Sequence, residues 1–335
     1  MRIAVFGAGA VGCYIGGCLA ANGAEVVLIG RPRLGDELAA HGLRVTDYRG
    51  RNQETRRFEF ETTPEAVAGS DVVLVCVKSQ DTQAAIDALR HKIPEGAVAI
   101  SFQNGVDNAE ELTNGLGRPV HAGMVGFNIA AQGGGHFHQG TQGDLHCTDD
   151  PALSPVLPVF KQAALPLEVH PDMRPVLWAK LMLNLNNAVN ALANIPLRDQ
   201  LSQRAFRDCL AMAQSELLAL VAASELPGLA KLSPLPPAWI PRVLRLPNAL
   251  FNLIAGSMLR IDPLARSSMS DDLALGRPTE VRWINGAVTR LADKLGQDAP
   301  VNKRLCDLVE EASGAPARPT WQASNLLKEL QKAAV

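Results

Sequence analysis

Met1-Arg2-Ile3-Ala4-Val5-Phe6-Gly7-Ala8-Gly9-Ala10-Val11-Gly12 opens the chain, and the reading of this stretch decides the fold. A short apolar run leads straight into Gly-x-Gly-x-x-Gly, and an apolar periodic segment follows through Tyr14, Ile15, Leu19 and Ala20. Strand, glycine turn and helix, in that order, form the first turn of a dinucleotide-binding βαβ unit. Gly7 permits the tight turn, Gly9 lets the backbone approach a pyrophosphate, and Gly12 lets the new helix close on the strand. Ala10 and Val11 lie where the helix N-terminus turns unpaired N–H groups toward the anion. A Gly-rich turn without a ligand does not account for three glycines at these spacings.

The next strand indicates which dinucleotide. Glu25-Val26-Val27-Leu28-Ile29 is followed by Gly30-Arg31-Pro32-Arg33, where an NAD-preferring protein usually carries Asp or Glu for the ribose hydroxyls. A guanidinium there can instead pair bidentately with a 2′-phosphate. Arg31 is better placed than Arg33 because it follows the strand directly. The sequence therefore predicts NADP(H) rather than NAD(H).

The chain has 335 residues and a formal charge of −2, long enough for two domains and with no electrostatic case for nucleic acid. The six cysteines (Cys13, Cys18, Cys76, Cys147, Cys209 and Cys306) are scattered, without Cys-x-x-Cys or a His–Cys cluster. They read as small apolar fillers in a reducing compartment, not a disulfide framework or metal site. No signal sequence precedes the first strand, so a cytoplasmic location is expected.

Strands and helices alternate through the first half. Leu43 to Thr62 suggests short strands around a Tyr48-Arg49-Gly50 turn. Asp71 to Val77 and Ala97 to Ser101 are continuous apolar runs suited to covered parallel strands. Helices are expected near 80–91 and 107–115, and a late hairpin around Gly133-Gly134-Gly135. The pattern changes at Val169-His170-Pro171 and is helical beyond. The expected architecture is α/β: a Rossmann-type doubly wound parallel sheet in 1–170, then an all-helical domain in 171–335. The apolar stretch from Ala238 to Ile261 is broken by Arg242, Arg245, Arg260 and prolines, which argues against a membrane span and for a helical insertion or subunit contact.

A single buried helix is expected from about Val176 to Ala193. Lys180, Asn184 and Asn187 fall at i, i+4 and i+7, within about 60° of one another on its surface. Asparagine is a poor helix former, so Asn184, Asn186, Asn187, Asn190 and Asn194 were not placed by propensity. A buried ammonium and carboxamides need partners or a ligand. The stripe is either a structural network between helices or a wall on which Lys180 supplies a proton or positive charge. Further on, a helix starting near Pro278 would carry Glu280 at the border of its apolar stripe, where a carboxylate can pair with Lys180.

Taken together, these landmarks resemble the ketopantoate reductase (2-dehydropantoate 2-reductase) family over nearly the full length. They are Gly7-x-Gly9-x-x-Gly12, Arg31, Val77-Lys78, Gln103-Asn104-Gly105, Lys180-x-x-x-Asn184, and Ser267-Ser268-Met269-x-x-Asp272 with Glu280 twelve residues after Ser268. The resemblance implies NADPH reduction of the ketone of 2-dehydropantoate to (R)-pantoate, on the pantothenate route to coenzyme A. It implies Lys180 as general acid toward the ketone oxygen, with Glu280 engaging Lys180 or the product hydroxyl. Asn104 would hold nicotinamide and substrate together, Asn184 the substrate hydroxyl and Ser268 the carboxylate. Lys78 would lie near the cofactor phosphates or ribose. The residues come from both halves, so a cleft closing about a hinge near 168–173 is expected, with a homodimer possible.

Three departures bear on specificity, one of them the Pro-rich helical insertion just upstream of Ser267, which lengthens the chain beside the expected substrate pocket. The family's second helix asparagine falls on Ala188, with Asn187 as a stand-in, and an asparagine three before the binding serine falls on Ala265. A reductase of another branched or aromatic 2-oxo acid is the alternative. A hydroxyacid or sugar-acid dehydrogenase lacks the Ser-Ser-Met…Glu block, and an NADP(H)-sensing module does not require Lys180 and Glu280.

Overall fold

β1 (Arg2–Phe6) lies inside a sheet covered on both faces, and period-two alternation sends its side chains into two separate cores. Ile3 and Val5 enter one with Cys13, Ile15 and Leu19, while Ala4 enters the other with Val73, Ile86 and Leu112. The computed structural model describes residues 1–255 and 265–334. The chain divides into two compact units, Met1–Met173 and Arg174–Val335.

The remaining strands of the first unit are β2 (Glu25–Ile29), β3 (Leu43–Asp47), β4 (Asn52–Thr55), β5 (Glu59–Glu61), β6 (Val72–Val75), β7 (Val98–Ser101), β8 (His121–Val125), β9 (Ile129–Gly133), β10 (His136–Gln139), β11 (Leu145–Thr148) and β12 (Leu167–His170). The helices are α1 (Ala10–Ala21), α2 (Pro32–His41), α3 (Thr82–Leu89), α4 (Asn108–Leu116) and α5 (Leu157–Gln162). The large sheet runs β12-β11-β8-β7-β6-β1-β2-β5. From β5 to β8 every pairing is parallel. In chain order those six strands lie 3-2-1-4-5-6, the doubly wound order whose switch point falls between β1 and β6. β11 then adds antiparallel to β8, and β12 adds parallel to β11.

A second sheet, β4-β3-β10-β9, covers the other side of α1. The helix is buried all round because it lies between two sheets, and glycines allow the close approach. A Cβ on Gly16 would meet Leu28 of the large sheet at 2.7 Å, and one on Gly17 would meet Leu43 of the small sheet at 2.6 Å. The hairpin β9–β10 is the one foreseen at Gly133 to Gly135.

The second unit is helical: α6 (Arg174–Asn184), α7 (Asn186–Ala193), α8 (Leu197–Ser202), α9 (Arg204–Ala223), α10 (Ile240–Leu244), α11 (Asn248–Ala255), α12 (Ser268–Ala274), α13 (Val281–Leu295), α14 (Pro300–Gly314) and α15 (Ala323–Ala333). α9 is its hub, packing on α7, α8, α10, α13, α14 and α15. Fully buried Arg207 on α9 donates to the carbonyls of Leu201, Ser202, Leu244 and Leu246, and to Asn248. It thereby satisfies orphan carbonyls at the ends of α8 and α10. That ties down the Pro-rich insertion, of which Arg260 and Ile261 lie outside the described residues. Among the described residues no helix is long and apolar enough to cross a membrane.

Candidate active site

The glycine loop shows the tight turn at Gly7 and the close helix packing at Gly12 that its spacing implies. Gly7 sits at φ +104°, and a Cβ there would lie 2.5 Å from the Val77 nitrogen. Gly12 packs the helix on the turn, where a Cβ would lie 2.4 Å from the Gly7 carbonyl oxygen. At Gly9 a Cβ would meet nothing within 4 Å, so the loop is open just where a phosphate would approach. Gly9 caps α1 without a side-chain hydrogen bond, and the first N–H groups of the helix, at Ala10, Val11 and Gly12, have no intrahelical acceptor. Open space and orphan donors together fit a pyrophosphate.

Backbone bonds bring the other sequence-predicted residues of this unit to the same sheet edge. The Gly7 and Ala8 N–H groups donate to the Ile29 carbonyl at 3.1 and 2.9 Å, which holds the end of β2 beside the loop. Arg31 follows as the N-cap residue of α2 and is exposed. Glu61 stands opposite Ile29 in the β2–β5 register, so this edge carries both a cation and a carboxylate. On the other side the Cys76 N–H donates to Phe6, placing Val77-Lys78 against Gly7.

Asn104 is held by a buried polar network that sequence reading missed. The Ser79 hydroxyl donates to the Asn104 carbonyl at 2.7 Å, and the Asn108 amide donates to it as well. Gln103 donates to Thr82 at 2.8 Å and accepts from Ser101 at 3.0 Å. These bonds fix the loop after β7 against the loop after β6. The clue was present as Ser, Thr, Gln and Asn directly after apolar strands, but their pairing depends on sheet order.

In the second unit the expected single helix from Val176 to Ala193 is interrupted. α6 ends at Asn184 and α7 begins at Asn186, with Leu185 between them at φ −56° and ψ −23°. Hydropathy periodicity could not reveal this, because Leu185 is as buried as the apolar residues Leu181 and Val189 of the two helices it joins. The asparagines divide into two groups. Asn186 exchanges two hydrogen bonds with Gln200 at 2.9 and 3.2 Å. Asn190 donates to Ile195 and accepts from the Ser267 N–H, both at 2.9 Å. Asn194 ends α7 in the left-handed region and bonds Thr320 and Arg266. These three are structural. Among the described residues, no hydrogen bond is found for the side chains of Lys180 and Asn184, one turn apart on α6, or of Asn187 on α7. Burial pulls the Lys180 ammonium down from 10.5 to about 8.

α12 packs on α7. Ser267 is its N-cap, accepting from the Ser270 N–H at 3.2 Å and donating to the Asn187 carbonyl at 3.2 Å. Ser268, one residue on, is exposed. The adjacent serines therefore differ in kind: one holds the helix and the other presents a hydroxyl. Arg318, which sequence reading did not single out, donates to the carbonyls of Ser270 and Ala191 and to the Ser270 hydroxyl. It locks α12 to the end of α7.

Glu280 lies one position outside its helix. The helix expected near Pro278 begins at Val281, with Glu280 as a buried N-cap whose carbonyl accepts from Trp283 and Ile284. No ion pair joins it to Lys180, for which burial is the one perturbing influence. The expected carboxylate–ammonium pair is not formed in this structure.

Residues 3–150 match the family described as Ketopantoate reductase PanE/ApbA, and residues 172–313 match its C-terminal counterpart. A 2-dehydropantoate 2-reductase of Halobacterium salinarum is 28% identical over 333 residues, covering 93% of this chain and 99% of that one. The crystal structure of a PanE/ApbA family ketopantoate reductase from Ralstonia eutropha superposes with a TM-score of 0.79 at 31% identity, covering 99% and 100% of the two chains. A D-mandelate dehydrogenase complex with NADH and anilino(oxo)acetate shares the fold, with a TM-score of 0.78 at 19% identity over 93% and 98% of the chains. The two family matches together span most of the sequence, and the chain belongs to the ketopantoate reductase PanE/ApbA family.

Proposed function

We propose that this protein reduces 2-dehydropantoate to (R)-pantoate with NADPH. The observation that carries the reading is the group Lys180, Asn184 and Asn187 along α6 and the start of α7, whose side chains have no hydrogen bond among the described residues while those of the nearby Asn186, Asn190 and Asn194 do. A desolvated lysine near pKa 8 is poised to give up a proton close to neutral pH. The curated relatives bearing the 2-dehydropantoate 2-reductase name are matched over nearly their whole length.

The glycine loop, with Ala10 and Val11, is proposed to hold the pyrophosphate of NADP(H), Arg31 its 2′-phosphate, and Lys78 and Asn104 the ribose and nicotinamide side. NADPH, when bound, supplies the hydride to the carbonyl carbon. Lys180 stabilises the charge developing on the ketone oxygen and delivers the proton there. Asn184, aided by Asn187, binds the substrate hydroxyl, and the exposed Ser268 hydroxyl binds the carboxylate. Glu280 takes part once substrate is present, by engaging Lys180 or the product hydroxyl. A cytoplasmic homodimer is the proposed working form. The exposed Trp239, Leu250, Leu253 and Ile254 of the insertion offer it an apolar surface.

A second reading, reduction of another branched or aromatic 2-oxo acid, is favoured by Ala188 and Ala265 at positions where the resemblance implies asparagine. A panel of 2-oxo acids followed by NADPH absorbance separates the two. The first reading requires the highest kcat/KM with 2-dehydropantoate. A clear preference for an aromatic 2-oxo acid would replace it with the second.

A further inference from the structure

At the far edge of the large sheet, away from the glycine loop, three metal-ligating side chains converge. His146 on β11 stands opposite Glu168 on β12 in the parallel register, and His170 follows two residues after Glu168. Residues two apart on a strand share a face, and so do directly opposed residues, so all three project to the same side. The neighbouring Leu145, Cys147 and Leu167 face the core beneath.

The distances suit a metal. His146 Nδ1 lies 2.9 Å from His170 Nε2 and 3.4 Å from Glu168 Oε2, and His170 Nε2 lies 3.9 Å from Glu168 Oε1. Bonds of about 2.0–2.1 Å to a tetrahedral zinc ion put its ligand atoms about 3.4 Å apart. The two imidazoles approach different oxygens of Glu168, and one ligand atom from each of the three residues lies within 4.8 Å of the other two, close enough for side-chain rotation to bring them onto one ion. The frame is rigid where it must be, since β11 is paired on both sides and His146 is 6% exposed. It is open where a fourth ligand would enter, since the Glu168 side chain is 57% exposed.

We propose that His146, Glu168 and His170 bind a divalent metal of the zinc class, with water as the fourth ligand, cross-linking edge strand β12 to β11. Each neutral imidazole keeps its single hydrogen on the nitrogen facing away from the metal. The hydrogen shared between the two rings in the empty site therefore moves to the outer nitrogen of its ring. Imidazole and carboxylate ligands with an open position favour zinc, nickel or cobalt over magnesium or calcium, which prefer all-oxygen shells. β12 is the last strand before the chain passes at Arg174 into the second unit, so the cross-link guards the strand otherwise most prone to fray.

No other group of three such ligands exists among the described residues. The remaining histidine pair, His136 and His138, is occupied at 2.7 Å by the Thr46 hydroxyl. The test is equilibrium dialysis of chelator-stripped, tag-free protein against zinc chloride, with metal analysis. One zinc per chain is expected, with affinity at least tenfold weaker in Glu168→Gln and in His170→Gln and unchanged in His138→Gln. Both ligand variants alter solvent-accessible side chains, and thermal unfolding without metal checks that they fold. Cobalt(II) in place of zinc should give d–d absorption of tetrahedral intensity that His170→Gln abolishes. Substoichiometric zinc in the native protein, or zinc binding indifferent to both variants, overturns the proposal.

Discussion

Lys180 gives the sharpest handle on the chemistry. Its ammonium is pulled from 10.5 to about 8 by burial, with no carboxylate among the described residues to offset the pull. A proton donor must be charged to act, so the rate should fall as pH rises through the lysine's own pKa. With that value near 8, about 90% of the lysine is protonated at pH 7 and about 10% at pH 9. kcat/KM, which reports the free enzyme, should therefore drop about tenfold between those two pH values. A lysine still at 10.5 would change the rate by only about 3% over the same range. The assay is NADPH oxidation at subsaturating 2-dehydropantoate from pH 6 to 10, with circular dichroism and NADPH affinity followed alongside. Stability should move in the opposite sense. A depressed lysine pKa means that the unfolded chain binds the extra proton, so stability rises with pH between about 8 and 10.5. Lys180→Met removes the cost of a buried charge and should be more stable than the native protein near neutral pH by about 1–3 kcal/mol. That advantage should vanish toward pH 10.5, and turnover should fall by about 10²–10⁴-fold. A flat pH profile to pH 9.5 together with near-normal turnover in Lys180→Met would refute the assignment of the proton donor.

Four further substitutions probe separate parts of the account. Arg31→Ala should raise KM for NADPH and leave that for NADH nearly unchanged; equal losses with both would make Arg31 structural. Gly12→Ala forces a Cβ to within 2.4 Å of the Gly7 carbonyl oxygen. Overpacking of this kind costs about 1–3 kcal/mol, read as a lower Tm with loss of NADPH binding, and an unaltered Tm would contradict the close approach. Ser267→Ala should cost about 1 kcal/mol of stability through the lost cap of α12. Ser268→Ala should leave Tm alone and act on substrate KM, so a reversal of that pattern would exchange their roles.

What the sequence revealed was whatever local chemistry decides. Glu25 to Ile29 is a strand with those same bounds, and Gly7 and Gly12 sit at the close approaches their spacing implies, because alternation and glycine geometry need only near neighbours. The five-asparagine cluster was legible as something propensity had not chosen. Its division into structural and free members was not, because Gln200, Ser267 and Thr320, which occupy three of the five, are remote in the chain. β8, β11 and β12 escaped notice for the same reason. They are short, and their identity as strands comes from the partners they extend. The convergence of His146 with His170, 24 residues apart, is likewise a product of strand register. Glu280 was placed within the first turn of a helix when it is the cap, because the start of a helix is set by its hydrogen bonds and not by the apolar stripe alone.

The most direct test follows the hydrogen itself. NADPH carrying deuterium at the nicotinamide C4 position is incubated with the protein and 2-dehydropantoate, and the product is analysed by mass spectrometry and chiral chromatography. The account predicts (R)-pantoate with one deuterium at C2, formed in step with NADPH oxidation and lost in Lys180→Ala. NADPH binding with no label transfer to this or any other 2-oxo acid would contradict it.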